Sequence, residues 1–170
     1  MDRLDALETV KMNGVMLQTM PEFANDIDVV LAAVRNNGPS LKYASDAMKN
    51  NKEVVMAAAL KNANALEYAS DKIKNDKDFI LSLIKQTPNV MEAVIPNVSK
   101  KLKRNEEVII TAEIYAILSG QRFHHYPHEY ADDKLKNDPK FSEKIGKISK
   151  ELNDMLEEMV GKETNQGMEP

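Results

Sequence analysis

Apolar residues recur along this chain at two distances: three or four residues within a segment, and twenty-five between segments. Val29, Val30, Ala33 and Val34 mark one face of a helix, and Val54, Val55, Ala58 and Ala59 mark the same face one interval later. Val29, Val54 and Phe79 stand 25 residues apart, as do Leu41, Leu66 and Met91. Tyr43-Ala44-Ser45-Asp46 is repeated without change as Tyr68-Ala69-Ser70-Asp71. A fixed period of this length is the mark of a repeat architecture.

Polar residues divide each interval in the same places. Asp26, Asn51, Asp76 and Asn105 precede the apolar faces and can accept hydrogen bonds from the first-turn N–H groups of a helix. Acids follow at Asp28, Glu53, Asp78 and Glu106/Glu107, where the helix dipole favours negative charge. Turns are predicted at Asn37-Gly38-Pro39, Asn62-Ala63-Asn64 and Thr87-Pro88-Asn89. A second short helix follows each turn, carrying Leu41, Ala44 and Met48 in one unit and Leu66, Ala69 and Ile73 in the next. Helices of about ten residues are marginal alone, so stacking must hold them.

The pattern extends both ways in altered form. Val10–Leu17 resembles Val34–Leu41 at an offset of 24 and reads as an earlier unit acting as a cap. Four extra residues within Ile95–Ser99 precede the restart at Asn105, and Pro96 is expected to kink or divide the helix there. Tyr130–Asp138 copies Tyr68–Asp76 after eight further extra residues. Asp138 and Pro139 then open a terminal helix with Phe141, Ile145, Ile148, Leu152, Met155 and Met159 on one stripe. That stripe either closes the array or pairs two chains as a homodimer through Phe141–Met159. The expected fold is all-α: stacked antiparallel helix pairs forming a short solenoid-like array with a long C-terminal capping helix. Units fall near 3–25, 26–50, 51–75, 76–104 and 105–137, the terminal helix at 138–160, and a flexible tail beyond Gly161 at 161–170.

Composition narrows the chemistry. Of 170 residues, 42% are hydrophobic and 29% charged, as in a globular protein. Without Cys, thiolate chemistry and Cys-based metal sites are out of reach. No Trp and 10 Met point to an aliphatic core. A net charge of −4 argues against a general affinity for nucleic-acid phosphates or anionic membranes. The N-terminus is charged, and the longest apolar run, Val54–Leu60, is far too short to span a bilayer. A soluble, cytoplasmic protein is expected, or one delivered into a host cell by specialised secretion.

The unit N-D-x-E-V-V-x-A-A-x-x-x-N-x-x-x-L-x-Y-A-S-D resembles a family of short tandem helical repeats catalogued as a domain of unknown function. That family occurs in Legionella-type intracellular bacterial effectors and in some protists and large viruses. The likeness is close over 26–76, partial over 77–107 and visible again at 130–138. It implies an all-α array and an effector or adaptor setting, and brings no activity, cofactor or catalytic residue.

Binding candidates follow the repeat. Tyr43, Tyr68, Asn36, Asn37, Asn62 and Asn64 would share one face, with the 120–130 loop and its Arg122, Phe123 and Tyr126 at the edge. Semi-buried tyrosines acting as spacers are the plainer reading. All three histidines lie in Phe123–Tyr130, where His124, His128 and Glu129 could ligate a metal, although Pro127 breaks the regular turn between them. Lys100–Arg104 is basic, either as a phosphate or acidic-partner contact or as cations closing a helix. No phosphate-cradling loop or nucleophile motif accompanies these residues. The expectation is a non-enzymatic protein-binding module without cofactor; the alternative is a metal-dependent enzyme or metal-binding protein centred on His124, His128 and Glu129.

Overall fold

The computed structural model describes residues 1–86, 91–120 and 126–166, without the side chains of 91–93 and 159–166. Every regular element among the described residues is helical. Five longer helices carry the repeat's first apolar face: α1 (Arg3–Met12), α2 (Ile27–Asn36), α4 (Lys52–Lys61), α6 (Lys77–Gln86) and α9 (Glu106–Leu118). The caps make the bonds their positions predict. Asp26 accepts from Asp28 N and Val29 N, Asn51 from Glu53 N and Val54 N, Asp76 from Phe79 N, and Asn105 from Val108 N. α1 packs on α2, α2 on α4, α4 on α6 and α6 on α9. Val29, Val30, Ala33, Val54, Val55, Ala58, Ile80 and Leu83 are fully buried between them. Each such Val, Ile or Leu contributes about 1.5–3 kcal/mol of hydrophobic stabilisation.

The second half of each unit departs from a continuous helix. Gly38–Tyr43 and Ala63–Tyr68 are 3₁₀ helices, followed by single α-turns, α3 (Asp46–Lys49) and α5 (Asp71–Lys74). The break falls at Ser45 and Ser70, whose backbones are extended (φ −64°, ψ 162° and φ −62°, ψ 153°). Their hydroxyls accept from Met48 N and Ile73 N, so each starts a new turn instead of continuing the old one. In the third unit the four-residue insertion yields α7 (Met91–Asn97), which ends just past Pro96, and α8 (Lys100–Lys103), capped by Ser99. The fourth gives a 3₁₀ turn at Pro127–Tyr130 and α10 (Asp133–Lys136), the same pair of elements as 63–74. Gly120, at φ +63°, follows the C-cap of α9, a left-handed position that glycine takes without a Cβ clash.

Successive units are joined by a polar ladder. Ser45 N donates to Ala24 O (2.7 Å), Ser70 N to Lys49 O (2.9 Å), Ser99 N to Lys74 O (3.0 Å) and Asp132 N to Lys103 O (3.0 Å). The serine hydroxyls donate in parallel to Asn25, Asn50 and Asn75 Oδ1 at 2.8, 2.8 and 2.9 Å. Lys74, Lys103 and Lys136 each donate to the carbonyl seven residues earlier, in Glu67, Pro96 and Glu129. At the N-terminal ends of the long helices, ion pairs link neighbours: Arg3 to Asp26 and Asp28, Lys52 to Asp76, and Lys77 to Glu107. Gly14 and Gly38 lie so close to the next helix that a Cβ on either would collide with the carbonyl oxygen of Ala33 or Ala58.

α11 (Pro139–Gln166) packs on α9 and α10. It runs through Gly161, expected to end it; one glycine costs a helix only about 1 kcal/mol relative to alanine. Phe141 and Ile145 are buried in their own chain, whereas Met155 is 59% exposed. The proximal part of the stripe therefore closes the core, while Met155 is open to another molecule. No described helix is long and apolar enough to cross a membrane.

Candidate functional site

The repeated polar residues are largely engaged in holding the fold. Asn36 reaches back to α1: its Nδ2 donates to Lys11 O (2.9 Å), and its Oδ1 accepts from Gly14 N (2.8 Å). Asn62 Oδ1 accepts from Asn64 N (3.0 Å), which starts the 3₁₀ helix, and Asn13 does the same for Val15 N (3.2 Å). Asn37 occupies the same repeat position without that bond, because the matching residue is Pro39, which has no N–H. Tyr43 and Tyr68 are half-buried against the core, with Lys42 Nζ 6.0 Å from the Tyr43 ring centre. The serines of the Tyr-Ala-Ser-Asp segments belong to the ladder between units.

In the histidine segment, Arg122, Phe123 and His124 lie outside the described residues. Tyr126 is exposed, and its ring stacks on His128 with centroids 6.1 Å apart and planes inclined by 19°. Glu129 is directed to the backbone, its Oε1 accepting from Tyr126 N (2.9 Å). The partner of His128 is Glu113, a residue of α9 that sequence reasoning did not single out. Glu113 Oε2 accepts from His128 N (3.3 Å) and lies 3.0 Å from His128 Nδ1, while Glu113 itself is 1% exposed. That carboxylate raises the His128 pKa above its ordinary value, and partial burial of the ring opposes the shift. An acid within the largely apolar run Val108–Leu118 was the one sequence signal for it. The His128 ring lines two cavities, one of about 230 Å³ with Glu113, Tyr126, Ser149 and Asn153, the other of about 330 Å³ with Phe141 and Ile145. No group of three metal-ligating side chains occurs among the described residues.

The basic run forms α8 instead of ending a longer helix. Lys103 donates to Pro96 O (2.7 Å), and its burial, with Lys100 nearby, pushes its pKa below the ordinary value. Arg104 Nε is 3.0 Å from Asp132 Oδ1 and holds that carboxyl below its usual range. Lys103 is thus tied within its own unit and Arg104 to the next one.

Apolar surface and cations stand side by side where Arg35 of α2 meets α4. A shallow groove of about 480 Å³ is lined there by Arg35, Glu53, Met56, Ala57, Leu60 and Lys61. It adjoins a second hollow of about 450 Å³ formed by Lys11, Ala32, Arg35, Asn36 and Lys61. Leu60 is 46% exposed, so the floor is apolar and accessible. Arg35 and Lys61 make no ion pair among the described residues, in contrast to Arg3, Lys52 and Lys77 at the N-terminal ends of α1, α4 and α6. Cations suit a helix C-terminus, but the dipole does not account for the apolar side chains between them.

Residues 2–49 and 51–103 each match the model of one family, described as Domain of unknown function (DUF4116). The chain belongs to this family. Each DUF4116 match spans two of the 25-residue intervals, which makes a tandem of two family domains within one chain. α2 belongs to the first DUF4116 match and α4 to the second, so the groove lies at their junction. Glu113, His128 and α11 lie beyond both matches. No curated protein and no solved structure matches the chain.

Proposed function

We propose that this chain is a non-enzymatic helical-repeat module that binds another protein through the groove between α2 and α4. In this reading the long helices stack as one short solenoid, and the occupant is an amphipathic helix with acidic flanks. One observation carries it: Leu60 stands open, with half-buried Met56 beside it, next to Arg35 and Lys61, two cations without an ion pair among the described residues. A channel between two ten-residue helices admits a third helix laying an i, i+3, i+4 stripe on the floor, with its acids meeting the rim. The area is small, so micromolar affinity that weakens with salt is expected. An effector or adaptor role, as the family resemblance implies, requires only such a recognition surface.

The test is fluorescence anisotropy with a labelled synthetic helix bearing a Leu/Met stripe and glutamate flanks. Binding is expected to saturate, and Leu60→Asp should weaken it at least tenfold (about 1.4 kcal/mol). A Tyr43→Ala/Tyr68→Ala double variant should leave it nearly unchanged. Equal binding of a lysine-flanked counterpart, or full binding by Leu60→Asp, contradicts the proposal.

A further inference from the structure

The same chain carries a helix with the chemistry that the α2/α4 groove lacks. α11 continues for more than four turns past Ile145, the last of its buried stripe residues. Leu152, Met155 and Leu156 fall at i, i+3 and i+4 on that extension; Met155 is 59% exposed and the two leucines are half-buried. Glu151, Asp154, Glu157 and Glu158 occupy its flanks and back, making the segment acidic, whereas the groove carries Arg35 and Lys61 against the single acid Glu53. Glu151, Asp154 and Glu157 have no ion-pair partner among the described residues.

We propose that the distal half of α11 from a second copy of this chain docks in the α2/α4 groove, a proposal that rests on the groove reading above. Met155 would meet Met56 and Leu60, and Glu151, its neighbour at i−4, would meet Arg35 and Lys61. The contact has to form between molecules, because α11 packs on α9 and α10, and α6 separates α9 from α4. Donor and acceptor surfaces differ, so the contact is head-to-tail. The pair keeps one free groove, on the molecule that gave its helix, and one free helix, on the other, so assembly continues into a ring or an open chain. A stripe of three or four side chains is a small interface, which sets the association in the micromolar range or weaker.

Sedimentation velocity of the full chain, from about 10 µM to about 500 µM and at low and high salt, tests this. The expected result is concentration-dependent growth beyond dimer that recedes with salt. Met155→Asp and Leu60→Asp change exposed positions, and each alone should remain monomeric, with association weakened at least tenfold. Mixing the two variants should restore a 1:1 pair and nothing larger, since one retains the groove and the other the helix. Dimers that survive Leu60→Asp but not Met155→Asp would indicate α11 pairing with α11 and overturn the proposal. A monomer at all concentrations, in a chain that still binds the acidic synthetic helix, overturns this inference and leaves the groove reading standing. Failure of both binding and self-association overturns both.

Discussion

Replacing Ser70 with alanine removes two hydrogen bonds that do different jobs. The hydroxyl accepts from Ile73 N at 3.3 Å, capping α5, and donates to Asn50 Oδ1 at 2.8 Å, tying one unit to the next. Loss of an N-cap costs about 1 kcal/mol, and loss of a neutral side-chain hydrogen bond about another 1 kcal/mol. Asn50 is exposed, so its freed carbonyl is hydrated and no burial penalty is added. The backbone bond from residue 70 N to Lys49 O remains. Ser70→Ala should therefore destabilise the chain by about 2 kcal/mol, or about 4–8 °C in Tm for a chain of this size. Urea unfolding followed by far-ultraviolet circular dichroism reads this as a lower midpoint at an unchanged slope. The discriminating step is a double-mutant cycle with Asn50→Ala, for which the ladder requires a coupling of about 1 kcal/mol. Strict additivity would show that the hydroxyl acts only as a local cap and that the inter-unit bond contributes nothing.

Three further outcomes follow from other sites. Ser40 is fully buried with no hydrogen-bond partner for its hydroxyl, and the next unit has Ala65 there; Ser40→Ala should raise stability by about 1 kcal/mol in the same urea assay. Gly38→Ala would press a Cβ onto the Ala58 carbonyl and should destabilise by about 1–3 kcal/mol, whereas the exposed Gly146, with open space around its Cα, should accept alanine with a small gain. The pH profile of stability should fall on both sides. Asp26, Asp76 and Asp132 have depressed folded pKa values through Arg3, Lys52 and Arg104, so their stabilisation is present above the ordinary aspartate pKa and lost as pH falls through the folded values. His128 has a raised pKa through Glu113, with Glu129 adding to it, so its contribution is complete below the ordinary histidine pKa and lost as pH rises through the folded value. His128→Gln should flatten the alkaline limb alone in pH-dependent thermal melts.

Much of this architecture was legible because its signals are local and repeated. The capping positions Asp26, Asn51, Asp76 and Asn105 each sit two or three residues before the N–H groups they satisfy, and all four make the bond. The second helix of each unit was misread because Leu41, Ala44 and Met48 fit a helical period, while Ser45 interrupts it by an alternative hydrogen bond. Helical spacing alone cannot distinguish one helix from a 3₁₀ turn followed by a freshly capped α-turn. Pattern also could not reveal that Asn36 answers to Lys11 and Gly14, since those partners are more than twenty residues away in the chain. For the same reason Glu113 escaped notice: its importance comes from His128, placed beside it by tertiary packing. The α2/α4 groove was hidden differently, because Leu60 and Lys61 belong to an apolar run and a helix end that each look complete in sequence.

The central claim is a division of labour in which repeated polar residues hold the units together and recognition falls to the α2/α4 groove. Methyl and amide NMR of the chain, titrated with the acidic amphipathic helix, tests it most directly. Chemical-shift changes are expected at Arg35, Glu53, Met56, Ala57, Leu60 and Lys61, with Tyr43, Tyr68 and His128 undisturbed. Changes centred on the tyrosines or on His128, with the groove silent, would contradict it.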